Sequence, residues 1–215
     1  MTAESSPTLA ELRPDEIVAM RDASGTVFVP VGPLEWHGPH LPLGTDPLHA
    51  LAIATRLAAV TGGVVHPTVF AGTETVVPAR GRLHDLRSMG LSDTDRVIGM
   101  DFPGMPVRSL YSEESAFALA IREVVLGLRE NGFSRIVIVN GHGATNHQSA
   151  LDRVAAEASS GTSRVVVHPT FGIPLIEGYG DGHASRSETS VMMAGISVWP
   201  RTMNASSRPC PQIRS

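Results

Sequence analysis

Apolar and polar positions along the chain alternate short β-branched runs with longer segments of helical period. Thr26-Val27-Phe28-Val29-Pro30-Val31 carries no charge, as suits a strand buried on both faces, and after a loop rich in Gly and Pro a helix is predicted over about 47–60. Val64-Val65-His66 makes a second, short strand. Over 112–130, Ala118, Ile121, Val125 and Leu128 recur at intervals of three and four, so one helix face is apolar, and Asn131-Gly132 supplies its stop. Arg135 begins a strand that ends at Val139, a helix follows over about 146–159, and Val165-Val166-Val167 forms the next strand. A last helix opens at Ser187-Glu188-Thr189, where Ser185 or Ser187 can cap the free backbone N–H groups.

Strands alternating with helices in this way build an α/β fold, a mostly parallel sheet sandwiched between helices. The 215 residues fit a single domain, 1–215, without internal repeat or low-complexity tract. The stretch 71–110 alone has little period. It is long for a structureless connection, and such loops in compact domains are usually functional or mobile.

Charge narrows the partners. A net charge of −4 without a run of Lys or Arg gives no electrostatic footprint for a nucleic acid or an anionic membrane, so neither is expected. The first residues carry Glu4 and Glu11 and no basic segment before an apolar one, so no signal peptide is predicted. The apolar stretch 50–60 is broken by Thr55 and Arg56 and is too short to span a bilayer. Cysteine occurs once, at Cys210, which leaves neither an intrachain disulfide nor a Cys-based zinc site and points to a cytoplasmic location.

Against one cysteine stand nine histidines, and several gather where chemistry is expected. In an open parallel sheet, ligands bind where loops leave the carboxyl ends of strands. After the first predicted strand come Glu35 and His37, two apart, so in extended chain they point to one side while Trp36 points to the other, toward core packing. The Gly/Pro-rich loop that follows can fold back and bring Asp46 to the same place. After a later strand, Gly141 and Gly143 flank His142 and leave room for its ring. Near the carboxyl end, His183 and Glu188 stand among small residues. Glu35, His37, Asp46, His142 and Glu188 offer three carboxylates and two imidazoles, more than a single four-coordinate ion needs if it keeps a water. Two ions sharing a carboxylate suit that count better. The bland alternative for each is a hydrogen-bonded packing residue or, for Glu188, a carboxylate at a helix start.

Glu35-Trp36-His37-Gly38-Pro39-His40-Leu41-Pro42-Leu43-Gly44-Thr45-Asp46, Phe102-Pro103-Gly104, Asn140-Gly141-His142-Gly143, and His183 with Glu188-Thr189-Ser190 run in this order, and through them the sequence resembles the creatininase (creatinine amidohydrolase) family of metal-dependent amide hydrolases. The resemblance spans about 10–195. It implies a dinuclear site with Asp46 bridging, Glu35 and His142 on one ion and His37 on the other, and commonly a hexamer. Creatininase has a glutamate two residues after the histidine that matches His142. Position 144 is Ala here, and Glu188 is the candidate replacement.

The expected activity is hydrolysis of a small, cyclic or acyclic, non-peptide amide C–N bond by a hydroxide held between two divalent ions, zinc first, manganese or iron otherwise. His183 is the expected proton shuttle, since an imidazole titrates near neutral pH. A peptidase trimming a small ribosomally made precursor peptide is the alternative, and a metal-binding, non-hydrolytic family member is the third reading. The partners expected are a small-molecule substrate and further copies of the chain. His40 is either a hydrogen-bond donor to a ligating carboxylate or simply exposed. Arg186 is the favoured contact for an anionic substrate group, ahead of Arg80, Arg82 and Arg87.

Overall fold

A computed structural model describes residues 8–79, 82–85, 106–159, 161–170 and 183–196. In chain order these form α1 (Pro14–Ser24), β1 (Thr26–Gly32), α2 (Thr45–Thr61), β2 (Val64–Val65), β3 (Val69–Phe70), β4 (Val76–Ala79), β5 (Arg82–Asp85), α3 (Glu114–Glu130), β6 (Arg135–Asn140), α4 (Thr145–Ala158), β7 (Arg164–Pro169) and α5 (Arg186–Ile196). The main sheet runs β2-β1-β6-β7, with β3 pairing β1 beyond the end of β2, and every pairing in it is parallel. This is the mostly parallel α/β sandwich expected.

Strand periodicity decides which helix covers which face. Val27, Val29 and Val31 of β1 and Ile136 and Ile138 of β6 turn to one side, where they pack with Phe117, Ile121, Val125 and Leu128 of α3 and Ala150, Leu151 and Val154 of α4. Phe28, Val137 and Val139 turn to the other, against Ala50, Ala54 and Ala58 of α2. The alanines recur every four residues, so α2 presents a small-residue stripe that lets it lie close on the sheet. Truncating a buried anchor such as Ile121 to Ala costs about 2–5 kcal/mol through lost burial and the cavity left behind.

Two elements escape the hydrophobic pattern. Helix α1 buries no residue fully, its Ile17 and Met20 being only partly covered. It is set instead by Pro14 in its first turn, by the Glu16 carboxylate that accepts from the Arg13 N–H at 2.8 Å, and by the left-handed Gly25 (φ 64°) that ends it. The 71–110 stretch is not structureless either: β4 and β5 pair antiparallel, Val76 opposite Asp85, as a separate two-stranded sheet. Arg80, Arg87 and Phe102-Pro103-Gly104 lie outside the described residues, as does the Arg82 side chain.

Candidate metal centre

Glu35 and His37 follow the end of β1, Asp46 stands in the first turn of α2 and His142 follows the end of β6, so the expected ligands meet at the carboxyl edge of the sheet. The Glu35 N–H donates to the Leu43 carbonyl at 2.8 Å, which doubles the loop back and delivers Asp46 beside the strand it left. Gly141 makes the meeting possible. A Cβ there would collide with the Asp46 carbonyl, 2.7 Å from its carbon and closer still to its oxygen, so only glycine lets β6 pass this close to α2.

Glu35, His37, Asp46 and His142 are all at most 4% exposed. Asp46 turns Oδ1 to His37 Nε2 at 3.0 Å and Oδ2 to His142 Nδ1 at 2.8 Å. Glu35 Oε2 lies 3.2 Å from His142 Nδ1 and 3.8 Å from His37 Nε2. Glu188 lies in the first turn of α5. Its Oε2 accepts the Ala184 N–H at 2.6 Å, a helix-start role, while Oε1 reaches to 3.3 Å from His37 Nε2. Ser185 acts as a cap, its Oγ accepting the Glu188 N–H at 3.3 Å, whereas the Ser187 side chain lies outside the described residues.

The His37 tautomer bears on what the cluster holds. Its Nδ1 is 3.0 Å from the Glu35 backbone carbonyl, an acceptor only, so Nδ1 carries the proton and the neutral ring turns a bare lone pair at Nε2 toward Asp46 Oδ1 and Glu188 Oε1. Among the described residues, buried Nε2 makes no well-directed hydrogen bond. A lone pair facing carboxylate oxygens calls for a cation between them, and these N and O donors suit a divalent metal ion. Without one, a proton takes the place. Burial pulls the His37 pKa down, but the contacts with Asp46 and Glu188 and the Asp46 charge override it and raise it to about 11. His142, likewise opposed by burial, is raised to about 10 by Asp46 and Glu35. Burial pushes the Asp46 carboxyl up, and the two histidines draw it below the usual carboxylate range.

His183 closes the solvent side of the cluster, its side chain 23% exposed and its ring 4.1 Å from that of His37. Its Nε2 donates to the Trp36 carbonyl and Nδ1 lies 3.8 Å from Glu35 Oε2. Trp36 is half-buried and joins neither core cluster, so the core role expected for it is not what it does: its N–H donates to Ser109 Oγ and its carbonyl holds His183. His40 is exposed and, among the described residues, reaches no carboxylate. Its Nε2 lies 3.2 Å from Thr189 Oγ1, which ties the loop after β1 to α5. Arg186 is exposed at the start of α5.

Ligand-capable atoms gather within 4.8 Å of one another in three sets, Glu35/His37/His183, His37/Asp46/Glu188 and Glu35/Glu74/His142. Glu74 and Tyr111 are the members the sequence did not announce. Tyr111 donates toward Glu35 Oε1 at 2.5 Å and Glu74 Oε2 at 2.9 Å. Glu74 lies inside the aperiodic stretch and Tyr111 just after it, where a lone carboxylate between Thr73 and Thr75 and a tyrosine before a helix carry no spacing signal. His147 is fully buried, stacked on Phe117 at 4.4 Å and set edge-on to His142 at 5.0 Å.

Comparison with known proteins places this chain in a lineage. Among curated proteins, the chain is 32% identical over 168 residues to the mycofactocin precursor peptide peptidase of Mycolicibacterium smegmatis, covering 78% of this chain and 56% of that protein. It is 26% identical over 117 residues to the 3-dehydro-scyllo-inosose hydrolase of Thermotoga maritima, covering 54% of this chain and 30% of that one. The chain thus spans about half or less of these relatives. Among solved structures, a manganese creatininase superposes with a TM-score of 0.64 at 24% identity, over 88% of this chain and 72% of that one, and a Zn–Zn form of a creatininase mutant gives 0.65 at 24%, over 89% and 73%. These likenesses establish the fold. The family model for creatininase, creatinine amidohydrolase, matches residues 10–211, and the chain therefore belongs to the creatininase family.

Proposed function

We propose that this protein is a metal-dependent hydrolase that opens a small, non-peptide amide C–N bond, cyclic or acyclic, with two divalent ions per chain. The observation that carries the reading is Asp46, whose two oxygens address two different buried histidines, the posture of a bridging carboxylate. Glu35 and His142 would hold one ion with Asp46, and His37 and Glu188 the other. That creatininase structures exist in manganese and zinc–zinc forms supports zinc or manganese in these places. Such ions supply an acidified water and a polarised carbonyl.

The chain's own groups handle position and protons. Because His183 Nε2 donates to the Trp36 carbonyl, Nδ1 keeps its lone pair, on the side of Glu35 Oε2. His183 Nδ1 takes a proton from the attacking water and returns it to the departing nitrogen. Among the described residues Glu35, His37, Asp46 and His142 are shut from solvent while His183 and Glu188 are partly exposed, and a centre this buried favours a compact substrate. We place the chain as a homo-oligomer, a hexamer, acting in the cytoplasm. No helix of the described residues is long and apolar enough to cross a membrane.

A second reading, trimming of a precursor peptide, is favoured by the 32% identity to a peptidase of that kind. Incubating the metal-reconstituted protein with amides, lactams, formamides and short peptides, with mass spectrometry of the products, separates the two. Turnover of a small amide or lactam supports the first, cleavage of peptides alone supports the second, and no turnover of any class overturns both.

A further inference from the structure

Glu74 lies outside the ligand set proposed above, yet it is buried, only 7% exposed, beside Glu35 and His142. Its placement is built. The Thr73 N–H donates to His147 Nδ1 at 3.3 Å and the Thr75 N–H to Asn146 Oδ1 at 3.0 Å, so two side chains from the first turn of α4 take the alternate amides that a neighbouring strand would otherwise satisfy. Asn146 Nδ2 also donates to Thr75 Oγ1 at 2.8 Å and lies 3.4 Å from Thr73 Oγ1. With Thr73 and Thr75 turned to Asn146, the residue between them turns the opposite way. There it meets Glu35, Tyr111 and His142.

The contacts in that corner do not balance among themselves. Tyr111 has one phenolic hydrogen and two carboxylate oxygens within reach, Glu35 Oε1 at 2.5 Å and Glu74 Oε2 at 2.9 Å. One of the two carboxylates therefore faces the phenol oxygen without receiving a proton from it. His142 turns Nδ1 to Glu35 Oε2 at 3.2 Å, and its buried Nε2 has no hydrogen-bond partner among the described residues. Two buried carboxylates need positive charge near them, and one atom from each of Glu35, Glu74 and His142 lies within 4.8 Å of the others.

We propose that Glu74 is a metal ligand, joining Glu35 and His142 on the ion at the His142 side of Asp46. The inference rests on the two-ion reading. It makes four carboxylates, Glu35, Asp46, Glu74 and Glu188, for the four positive charges of two divalent ions, and leaves the histidines neutral. Asn146 and His147 are then positioning residues, acting on the ion through the segment they hold.

Zinc and manganese titrations of the metal-free full chain, read by competition with a chromophoric chelator, test this without turnover. The wild type binds two ions. Glu74→Gln keeps the size and the hydrogen bond to Tyr111 but not the charge, and one of the two affinities falls by at least ~10-fold while the other holds. Should Glu74→Gln fail to fold by circular dichroism, Glu74→Asp is used with cobalt, and its visible spectrum differs from the wild type's because the ligand is drawn back. Two unchanged affinities in Glu74→Gln, or an unchanged cobalt spectrum in Glu74→Asp, overturn the assignment of Glu74 alone. A wild type that does not bind two ions overturns the two-ion reading itself.

Discussion

Asp46 Oδ2 lies 2.8 Å from His142 Nδ1, though 96 positions separate the two residues in sequence. The contact joins the start of α2 to the end of β6, and on the other side of the same carboxylate Oδ1 is 3.0 Å from His37. Asp46→Asn therefore removes charge from both halves of the centre at once. It is expected to bind neither ion at concentrations that saturate the wild type, and to lose hydrolysis with them, as equilibrium dialysis with metal analysis reads. Retention of both ions would mean that Asp46 does not bridge.

In the proposed mechanism His183 serves proton transfer and not metal retention. His183→Ala is expected to keep two ions and a near-normal KM while kcat falls ~10²–10⁴-fold, the usual worth of a positioned acid–base group. If the variant instead loses an ion, His183 is a ligand with Glu35 and His37, the set its geometry also permits.

The metal-free and metal-loaded proteins should differ in their response to alkali. His37 and His142 have pKa values raised to about 11 and about 10, above the ordinary histidine value near 6.5 that holds when the chain is unfolded. The stability they contribute is complete below about 6.5 and is lost as pH rises through the folded-state values. Thermal denaturation with a chelator present is expected to show Tm falling steadily from about pH 7 to about pH 10. With saturating metal, the ions replace the protons and the fall is smaller. Parallel curves would show that the two histidines carry no such stability.

Gly141 offers a test of the scaffold. Gly141→Ala drives a methyl into the Asp46 backbone carbonyl, so backbone must move. A loss of about 1–3 kcal/mol in urea denaturation is expected, with weaker metal binding as Asp46 and His142 separate. Gly127, in α3 with nothing within 4 Å of where a methyl would stand, is the control: Gly127→Ala should raise stability by about 0.5–1 kcal/mol.

How far the sequence speaks depends on what kind of force sets each element. Strands β1, β6 and β7 and helices α2, α3 and α4 are legible because burial between layers imposes a period, as Val27, Val29 and Val31 show on one face and Phe28 on the other. Helix α1 is hidden because capping and Pro14, not an apolar stripe, set it. Glu35, His37, Asp46, His142 and Glu188 converge because short spacings and glycines mark turns that leave strand ends. Glu74 and Tyr111 enter the same cluster through bonds to α4 and to Glu35, pairings 71 to 76 positions apart that leave no local trace.

A two-ion centre in which Glu188 takes the place of the glutamate missing at Ala144 is the core of the proposed chemistry. Metal content by inductively coupled plasma mass spectrometry, on wild type and Glu188→Gln folded alike by circular dichroism, addresses it most directly. Two ions per chain are predicted in the wild type and one in the variant. Two ions in both proteins, or none in the wild type after incubation with zinc or manganese, would contradict it.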